Sequence, residues 1–295
     1  MGLLDAHKAL AGKVAVVLGG CAGFVGRAVT LGLVGEGVRV IACDDDREGI
    51  AGIVGEVAAL GGAISAHHAD VTDEAALDAF WDVVEREHDA IDFVINVAGG
   101  VIRRPFEETT RESHARDIRL NYDYVVQSCH RAIPLLKRSG RGGAIVNFTT
   151  IEAHRGAGTF AVYAGAKAGI TNFSRALAVE LGGAGIRVNC LAADTSAARA
   201  SYAAMGEEPE RRRLELGVPL STLPVEMYIP MKRRPEVEEV VDGVLFLVSG
   251  LSSAVTGQTL HVDGGTSASM GFLDWPEGDG FMPIPMAGTL SKLLK

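Results

Sequence analysis

The sequence predicts a single α/β domain, doubly wound, with helices on both faces of a mainly parallel seven-stranded sheet. Short apolar runs of strand length alternate with longer segments of helical periodicity along most of the chain. This order favours right-handed crossovers and a parallel sheet. The 295 residues are 47% hydrophobic, which is enough for one large core, and no linker or internal repeat divides them.

The predicted strands are apolar runs rich in β-branched residues, and most of them end at glycine or an acidic residue. KVAVVLGG at 13–20 and VRVIACD at 38–44 are the first two, and such continuous runs indicate strands that are buried on both faces. The predicted strands span residues 13–20, 38–44, 63–71, 91–99, 143–150, 186–194 and 257–265.

The predicted helices lie between these strands and carry apolar residues at helical spacing. Several end in glycine, which is a common helix stop. Thr72 is the expected N-cap of the third helix, because a threonine hydroxyl can accept from the first turn. The predicted helices span residues 23–37, 47–62, 73–88, 112–140, 160–185 and 235–250.

The composition argues against several classes of partner. The formal charge of −9 disfavours nucleic acid and anionic membranes, since both attract Lys and Arg. No apolar run approaches the length of a membrane span, and MGLLDAHKALAGK at the start lacks the pattern of a signal peptide. We therefore expect a cytoplasmic protein that acts on a small molecule.

The cysteines and histidines do not predict a metal site. Cys21, Cys43, Cys129 and Cys190 show no CxxC spacing, so they are interpreted as buried thiols in a reducing compartment. The adjacent pair at 67–68 would place its two imidazoles on opposite faces of a strand, which makes a poor pair of metal ligands.

A glycine loop follows the first predicted strand. Gly20, Gly23 and Gly26 in GGCAGFVG are three residues apart and precede a helix. Glycines there permit a sharp turn and a close approach of a pyrophosphate, and the helix N-terminus offers N–H groups to it. A tight strand-to-helix turn without a ligand is the alternative, but the position after the first strand favours a nucleotide.

An acidic run ends the second predicted strand. Asp44 stands 18 residues after Gly26, close to the spacing at which an acid meets the adenosine ribose. A carboxylate there accepts from the ribose hydroxyls and repels a 2′-phosphate, so we expect NAD rather than NADP. Asp45 and Asp46 add to the negative charge, or they form a solvated turn, whereas Arg47 opposes it.

The stretch VYAGAKAG places a phenol and an ammonium one helical turn apart. Tyr163 and Lys167 share a helix face and are surrounded by alanine and glycine. The small residues suit close helix packing, and the pair suits proton transfer. A free phenol has a pKa of about 10, and a nearby cation would favour its ionised form.

Taken together, these features resemble the short-chain dehydrogenase/reductase family, whose domain is Rossmann-like. The resemblance covers roughly residues 10–265. It rests on the glycine loop and on an ordered set of further motifs. These are Asp70-Val71, Asn96-Val97-Ala98-Gly99, Asn121, Tyr163 with Lys167, GIRVN at 185–189 and VTGQTLHVDGG at 255–265.

The resemblance implies roles for individual residues. Tyr163 would be the general acid or base, Lys167 its electrostatic partner, Thr150 a hydrogen-bond donor to the substrate oxygen, and Asn121 the holder of a water in a proton path. Asp70 would meet the adenine amine. The implied cofactor-binding residues are Gly20, Gly23, Phe24, Val25, Gly26, Asp44, Asp70, Val71, Asn96, Ala98, Gly99, Tyr163, Lys167 and Thr195.

The chain departs from the family pattern at several positions. Thr150 replaces the usual serine, and Phe24 stands where the usual loop has its middle glycine. Ala193-Asp194 replaces the usual Pro-Gly, and Ala198 stands where a threonine would grip the carboxamide, so Thr195 or Ser196 would substitute. The GxxGxxG spacing looks more like that of nucleotide-sugar epimerases.

Two segments near the C-terminus are expected to shape the substrate site. Residues 195–234 form a long excursion that we expect to be a lid, and its apolar residues favour an apolar or cyclic substrate. The extension at 266–295 is expected to pack on the core of residues 1–265 or on a neighbouring subunit.

His154 and Arg155 follow Thr150 in the sequence. They either face the substrate or lie in a solvated loop.

The sequence therefore predicts an NAD-dependent alcohol dehydrogenase or ketone reductase that interconverts a secondary alcohol and a ketone. Two alternatives stay open at this stage: a nucleotide-sugar epimerase or dehydratase, and an NAD-binding protein without turnover. Long helices with small faces also favour a homodimer or homotetramer.

Overall fold

The structure is a computed structural model that describes residues 10–193, 211, 215, 223–275 and 280–283. Its main sheet has seven strands in the order β3-β2-β1-β4-β5-β6-β7, and every pairing is parallel. The strands are β1 (Val14–Leu18), β2 (Arg39–Asp44), β3 (Ile64–His68), β4 (Phe93–Asn96), β5 (Gly143–Thr149), β6 (Ile186–Ala192) and β7 (Thr259–His261). The predicted fold class is confirmed.

The described helices connect these strands and cover both faces of the sheet. They are α1 (Phe24–Gly35), α2 (Arg47–Ala59), α3 (Glu74–Glu87), α4 (Arg111–Ile118), α5 (Tyr124–Arg138), α6 (Ala161–Leu181), α7 (Leu223–Tyr228) and α8 (Val237–Val248). Short 3₁₀ turns span Phe106–Glu108, Ile151–Ala153, Gly182–Ala184 and Gly250–Ser252.

The alternation of side chains along β1 divides the core into two layers. Val16 and Leu18 pack with residues of α3, α5 and α6, whereas Ala15 and Val17 pack with residues of α1, α2 and α8. Because successive strand residues face opposite sides, a strand covered on both faces must be apolar throughout. This explains the continuous apolar run in the sequence.

Two local predictions for helices need correction. The predicted helix at 112–140 is interrupted by a π-helical segment, Arg119–Asp123, between α4 and α5. Thr72 is not the N-cap of α3, because Asp73 accepts from the Ala76 N–H instead. The Thr72 hydroxyl and N–H both donate to the Asp70 carboxylate, and this turn uses up the hydroxyl that a cap would need.

The segment after β7 forms a second, small sheet. Strands β8 (Phe272–Asp274) and β9 (Phe281–Pro283) pair antiparallel. Lys232, four residues after α7, donates to the C=O of Glu226 at 2.8 Å and to the Asp274 carboxylate. Its ammonium also lies 4.7 Å from the ring centroid of Phe281. One lysine therefore contacts the last turn of α7 and both strands of this hairpin.

Candidate active site

A cleft of about 840 Å³ lies at the carboxyl ends of β1, β2, β4 and β5. Strand β1 is flanked by β2 on one side and by β4 on the other. The chain therefore adds its first three strands in one direction across the sheet and the later strands in the opposite direction. Ligands of doubly wound sheets bind at such a switch point. The lining residues are Gly19, Ala22, Gly23, Phe24, Val25, Gly26, Asp44, Asp45, Asp46, Ala69, Asp70, Val71, Val97, Ala98, Gly99, Gly100, Val101, Leu120, Phe148, Thr149, Tyr163, Lys167 and Ala193.

The glycine loop has no room for side chains where it packs on itself and on Ala98. A Cβ on Gly26 would lie 1.8 Å from the Gly19 carbonyl oxygen, and one on Gly19 would lie 2.7 Å from the Ala98 nitrogen. Gly23 instead has φ 66° and open space around it, and it stands at the N-terminus of α1 without a side-chain cap. The first turn of α1 thus faces the cleft with its N–H groups, which suits a pyrophosphate.

Asp44 holds this loop in place. One of its carboxylate oxygens accepts from the N–H groups of Cys21 at 3.1 Å and Ala22 at 2.9 Å, and the other accepts from the Asp46 N–H at 3.3 Å. The residue is buried, with 8% of its surface exposed. Asp44 therefore stabilises the glycine loop, which the sequence does not reveal, in addition to the ribose contact expected from its position.

The other acids at this end of the cleft have distinct surroundings. Asp46 caps α2 by accepting from the N–H groups of Glu48 and Gly49. Burial, and after it the neighbouring carboxylates of Asp44 and Asp70, raise the pKa of Asp45. Because nearby carboxylates already oppose the ionisation of Asp45, this end of the cleft would also repel the phosphate of a bound ligand.

Arg47 follows these acids in the sequence. Its guanidinium lies 3.3 Å from the Nδ1 atom of His68, and His68 pairs with Asp44 across β2 and β3.

The proposed catalytic pair lies at the opposite end of the cleft, on α6. Both Tyr163 and Lys167 line it, and the Lys167 Nζ atom is 5.9 Å from the centroid of the Tyr163 ring. Lys167 is 4% exposed and donates to the carbonyl oxygen of Phe148 at 3.0 Å. Burial lowers the pKa of Lys167 from the ordinary 10.5 to about 8. The ammonium is therefore available to an ionised partner in the cleft, with little water to screen it.

Asn121 lies in the π-helical segment and is fully buried. Its amide nitrogen donates to the carbonyl oxygens of Gly100 at 2.9 Å and Asp117 at 3.0 Å, and its amide oxygen accepts from the Gly100 N–H at 3.1 Å. A Cβ on Gly99 would lie 3.0 Å from both this amide oxygen and the Lys167 ammonium. The π-bulge therefore seats Asn121 against the loop beside Lys167, and such bulges often occur at functional sites.

Thr150 follows β5 and is buried, with 5% of its surface exposed. Its hydroxyl donates to the Glu152 carboxylate and accepts from the Glu152 N–H at 3.4 Å. Its neighbour Thr149 lines the cleft and bonds to the Lys167 carbonyl oxygen and to Thr171. The hydroxyl at the predicted donor position thus already has a protein acceptor.

Arg155 is partly buried, whereas His154 is exposed. The Arg155 guanidinium donates to Glu152 at 2.7 Å and to the Tyr228 hydroxyl. The His154 ring lies 5.1 Å from the ring of His261. Burial, and after it His261 and Arg175, lower the pKa of His154. Because Arg155 already has partners within the protein, it is not a free binding site for an anion.

The structure brings most of the predicted site residues to the cleft but not all of them. The predicted residues among its lining are Gly23, Phe24, Val25, Gly26, Asp44, Asp70, Val71, Ala98, Gly99, Tyr163 and Lys167. Gly20, Asn96, Asn121 and Thr150 lie behind the lining. The Asn96 amide, for example, donates to Asn147 at 2.8 Å inside the sheet. Thr195 lies outside the described residues.

Sequence reasoning missed two kinds of cleft residue. Phe148 contributes a backbone carbonyl to Lys167, for which no side-chain signal exists. Val97, Gly100, Val101, Leu120 and Ala193 contribute walls, and only their position after predicted strands or beside Asn121 could have indicated them.

Comparison with known proteins assigns the class to which this fold and cleft belong. A family model described as Enoyl-(Acyl carrier protein) reductase matches residues 20–267. The chain is 32% identical over 267 residues to 3beta-hydroxysteroid dehydrogenase 1 of Eggerthella lenta, covering 89% of this chain and 97% of that protein. The chain therefore belongs to the short-chain dehydrogenase/reductase family, as its motifs predict.

Solved structures agree with this assignment. Levodione reductase superposes with a TM-score of 0.77 at 27% identity, covering 88% of this chain and 98% of that one. The 7 alpha-hydroxysteroid dehydrogenase complexed with NADH and 7-oxo glycochenodeoxycholic acid gives a TM-score of 0.77 at 27% identity, covering 88% and 96%. The protein is thus an oxidoreductase of a family that binds nicotinamide cofactors and acts on small molecules.

In the part of the chain that the structure describes, no helix combines the length and apolar character that crossing a bilayer requires.

Proposed function

We propose that the protein is an NAD(H)-dependent oxidoreductase that interconverts a secondary alcohol and a ketone, with Tyr163 as its general acid/base. The observation that carries this proposal is the buried Lys167 ammonium, 5.9 Å from the Tyr163 ring in the same cleft. A cation there favours the phenolate over the phenol. The phenolate can then take the hydroxyl proton of an alcohol, and the phenol can return it to a ketone.

The remaining residues hold and orient the reactants. The first turn of α1 and the glycine loop would hold the pyrophosphate, and the Lys167 ammonium would also donate to the ribose hydroxyls. When bound, the nicotinamide exchanges a hydride with the carbinol carbon, which is the chemistry of the cofactor. Asn121 fixes the Gly99-Gly100 loop against the Lys167 ammonium, and this keeps the cation in place for the proton transfer.

NAD is the proposed cofactor because acids dominate the adenosine end of the cleft. Asp44, Asp45, Asp46 and Asp70 all line the cleft, whereas Arg47 is not among its lining residues and its guanidinium lies beside His68. A 2′-phosphate placed there would meet several carboxylates at short range. Ribose hydroxyls would instead find acceptors.

The proposed substrate is apolar or cyclic. The relatives named above act on steroids or on levodione by their names, and the lining of the cleft includes the apolar residues Val101, Leu120 and Phe148. The proposed lid at 195–234 and the extension at 266–295 would complete the site. We also propose a homodimer or homotetramer, because long helices with small faces suit helix packing between subunits. The four buried free thiols support the proposed cytoplasmic location.

Two other functions remain as outcomes of the test. A nucleotide-sugar epimerase or dehydratase is suggested by the GxxGxxG loop alone. A cofactor-binding protein without turnover is suggested by Thr150, whose hydroxyl is bonded to Glu152. The first is opposed by the HVDGG ending at 261–265, and the second by the juxtaposed Tyr163 and Lys167. The dehydrogenases and reductases among the relatives oppose both.

The test is a screen of cyclic secondary alcohols and ketones against the purified protein with NAD(H) and NADP(H), read by nicotinamide absorbance. We expect turnover with NAD(H), and a loss of at least about a hundredfold in kcat for Tyr163→Phe. Tight NAD binding without turnover would support the cofactor-binding alternative. A nucleotide-sugar product formed with retained NAD would support the epimerase alternative.

A further inference from the structure

The loop after β4 leads from the cleft to a guanidinium near Tyr163. Val101 lines the cleft, and Arg103 follows it two residues later in the sequence. The guanidinium carbon of Arg103 lies 4.7 Å from the centroid of the Phe160 ring, and the centroid of that ring lies 6.1 Å from that of the Tyr163 ring. One aromatic ring therefore separates this cation from the proposed general acid/base.

Two contacts fix the position of Arg103. The N–H of the next residue, Arg104, donates to the carbonyl oxygen of Thr159 at 2.9 Å. The Arg103 guanidinium itself lies over the Phe160 ring, whose electron-rich face attracts a cation. Because Phe160 immediately precedes α6, both contacts join the loop to the N-terminal end of the helix that carries the proposed catalytic pair.

The contact with Phe160 leaves the hydrogen-bond donors of Arg103 unused. The N–H groups of a guanidinium lie in its plane, and a ring against its face occupies none of them. Among the residues that the structure describes, no side chain or carbonyl group forms an ion pair or hydrogen bond with the Arg103 side chain. Other arginines are paired: Arg131 contacts three carboxylates of α3, and Arg155 contacts Glu152. Arg103 is thus able to bind an anion.

The charges that line the cleft favour an anion near Arg103 and oppose one at the other end. The carboxylates among the lining residues all lie at the adenosine end. Near the proposed catalytic pair, the one permanently charged group of the lining is the Lys167 ammonium. The carboxylate of Glu152, close by, is paired with Arg155 at 2.7 Å. A substrate carboxylate would therefore be repelled at the adenosine end and attracted at the catalytic end.

We propose that Arg103 is a specificity-determining residue that binds a carboxylate of the substrate, at a position remote from the carbinol carbon. This inference rests on the proposed alcohol–ketone reaction and narrows its substrates to cyclic secondary alcohols that carry an acid group, and to the corresponding keto acids. The guanidinium can donate in parallel to both carboxylate oxygens while its face stays on Phe160. The substrate is then held at two points, by its acid group at Arg103 and by its reacting oxygen at Tyr163.

The binding test uses the complex of the protein with NAD and a ketone, in which both reactants are oxidised and no hydride can be transferred. The probes are 4-oxocyclohexanecarboxylate and its methyl ester, which keeps the ring and the ketone but has no charge. We expect the wild type to bind the carboxylate at least about tenfold more tightly, since hydrogen bonds between charged groups are the stronger ones. Isothermal titration calorimetry measures both Kd values. Equal values for the two probes would overturn the proposal.

Variants of Arg103 test whether this preference comes from its guanidinium. In Arg103→Gln the Kd of the carboxylate should rise about tenfold, whereas that of the ester should change less than about twofold. Arg103→Lys keeps the charge but loses the planar fork, so it should retain only part of the preference.

Arg104→Gln is the matched control. It removes an exposed positive charge from the adjacent position and leaves the backbone N–H that donates to Thr159. Both Kd values should stay as in the wild type. If Arg104→Gln weakened the carboxylate as much as Arg103→Gln, the attraction would come from the total charge of the loop, and the proposed site at Arg103 would be refuted.

Turnover distinguishes the Arg103 site from the proposed function. With NADH and the keto acid, Arg103→Gln should raise KM about tenfold and leave kcat within about twofold, because Arg103 is not expected to contact the reacting atoms. A merely structural role would raise the KM of the acid and the ester together, and that result would overturn the site while the proposed function stands. If the keto acid binds through Arg103 but neither cofactor supports its reduction, the proposed function fails while the site stands.

Discussion

Two buried charges lie at opposite ends of the sheet, and the difference between them separates a structural site from the proposed catalytic one. Asp92 precedes β4 at the amino end and is 3% exposed, whereas Lys167 lies at the carboxyl end and is 4% exposed. Asp92 receives hydrogen bonds from Lys13 at 2.9 Å, from Arg141 at 2.8 Å and from the Val14 N–H at 3.0 Å. Lys167 donates to one carbonyl oxygen, that of Phe148.

The pKa values follow from these surroundings. Burial alone would raise the pKa of Asp92, but the bonds from Arg141, Lys13 and Val14 lower it below the ordinary value. Burial lowers the pKa of Lys167 to about 8, and Cys190 opposes this shift to a lesser extent. A buried charge that is compensated stabilises the fold, and one that is not compensated is typical of a site that awaits a ligand or a reaction partner.

Removing the uncompensated charge should have the largest effect. For Lys167→Met we expect kcat to fall at least about a hundredfold, because the phenolate of Tyr163 loses its cation. The same change should raise the free energy of unfolding of the cofactor-free protein by about 1 to 3 kcal/mol near neutral pH, since a buried ammonium is removed. Turnover assays and urea denaturation of the same preparation measure both quantities. Loss of stability together with activity would contradict the account.

The effect of Lys167 on stability should depend on pH in a defined direction. The folded pKa of about 8 lies below the ordinary value of 10.5, so the unfolded chain binds more protons between these values. The wild type should therefore gain stability relative to Lys167→Met as the pH rises through this window. Below the folded pKa the difference between the two proteins should be constant. Urea denaturation at several pH values measures the trend, and a constant difference throughout the window would refute it.

Removing the compensated charge should affect stability alone. We expect Asp92→Asn to lower the free energy of unfolding by about 1.5 to 3 kcal/mol near neutral pH, because hydrogen bonds to a charged group are lost. Since the folded pKa of Asp92 is depressed, this contribution exists above the ordinary pKa and disappears as the pH falls through the folded value. The kcat of the folded variant should match that of the wild type, and a reduced kcat would remove the contrast with Lys167.

The acids of the glycine-loop end offer a test of cofactor choice. Asp45→Ser should increase kcat/KM with NADP several-fold, since one repelling carboxylate is removed. Asp44→Ser should instead weaken both cofactors, because the Cys21 and Ala22 N–H groups lose their acceptor. Steady-state kinetics with each cofactor distinguish the two variants. Equal effects of both changes would show that Asp44 does not hold the loop.

The smallest expected effect concerns the C-terminal hairpin. Lys232→Ala removes the contacts to Asp274 and Phe281, but Lys232 is 43% exposed, so we expect a loss of at most about 1 kcal/mol in local stability. Faster hydrogen exchange in Phe272–Asp274, with α8 unchanged as an internal control, would support this contact. Exchange equal to that of the wild type would show that the hairpin is held in another way.

Structural features that depend on interactions between residues close in sequence could be predicted, and those that depend on distant residues could not. The strands and most helices could be predicted, because burial on both faces leaves a continuous apolar run and helix faces leave a period. Tyr163 and Lys167 could be predicted because one helical turn fixes their proximity. Asp73 displaced Thr72 as a cap because Asp70 bonds the threonine, and this competition among neighbouring side chains has no sequence period.

Long-range contacts were beyond sequence reasoning for a physical reason. The loop-holding bonds of Asp44 and the connection of Glu152 to Tyr228 join residues from different parts of the chain, so no local pattern encodes them. The π-helical segment at Asn121 depends on bonds to Gly100, 21 residues away, and periodicity alone predicts a continuous helix there. The hairpin of β8 and β9 is short and weakly patterned, which explains why it was missed.

This contrast depends most on Lys167, a buried cation whose charge no carboxylate among the described residues compensates. A nuclear magnetic resonance titration of the lysine side chains in the cofactor-free protein, with the Lys167 signal assigned by its absence in Lys167→Met, tests this directly. The account predicts a midpoint about 2.5 pH units below an ordinary lysine, near the value of about 8. A midpoint at the ordinary 10.5 would contradict it.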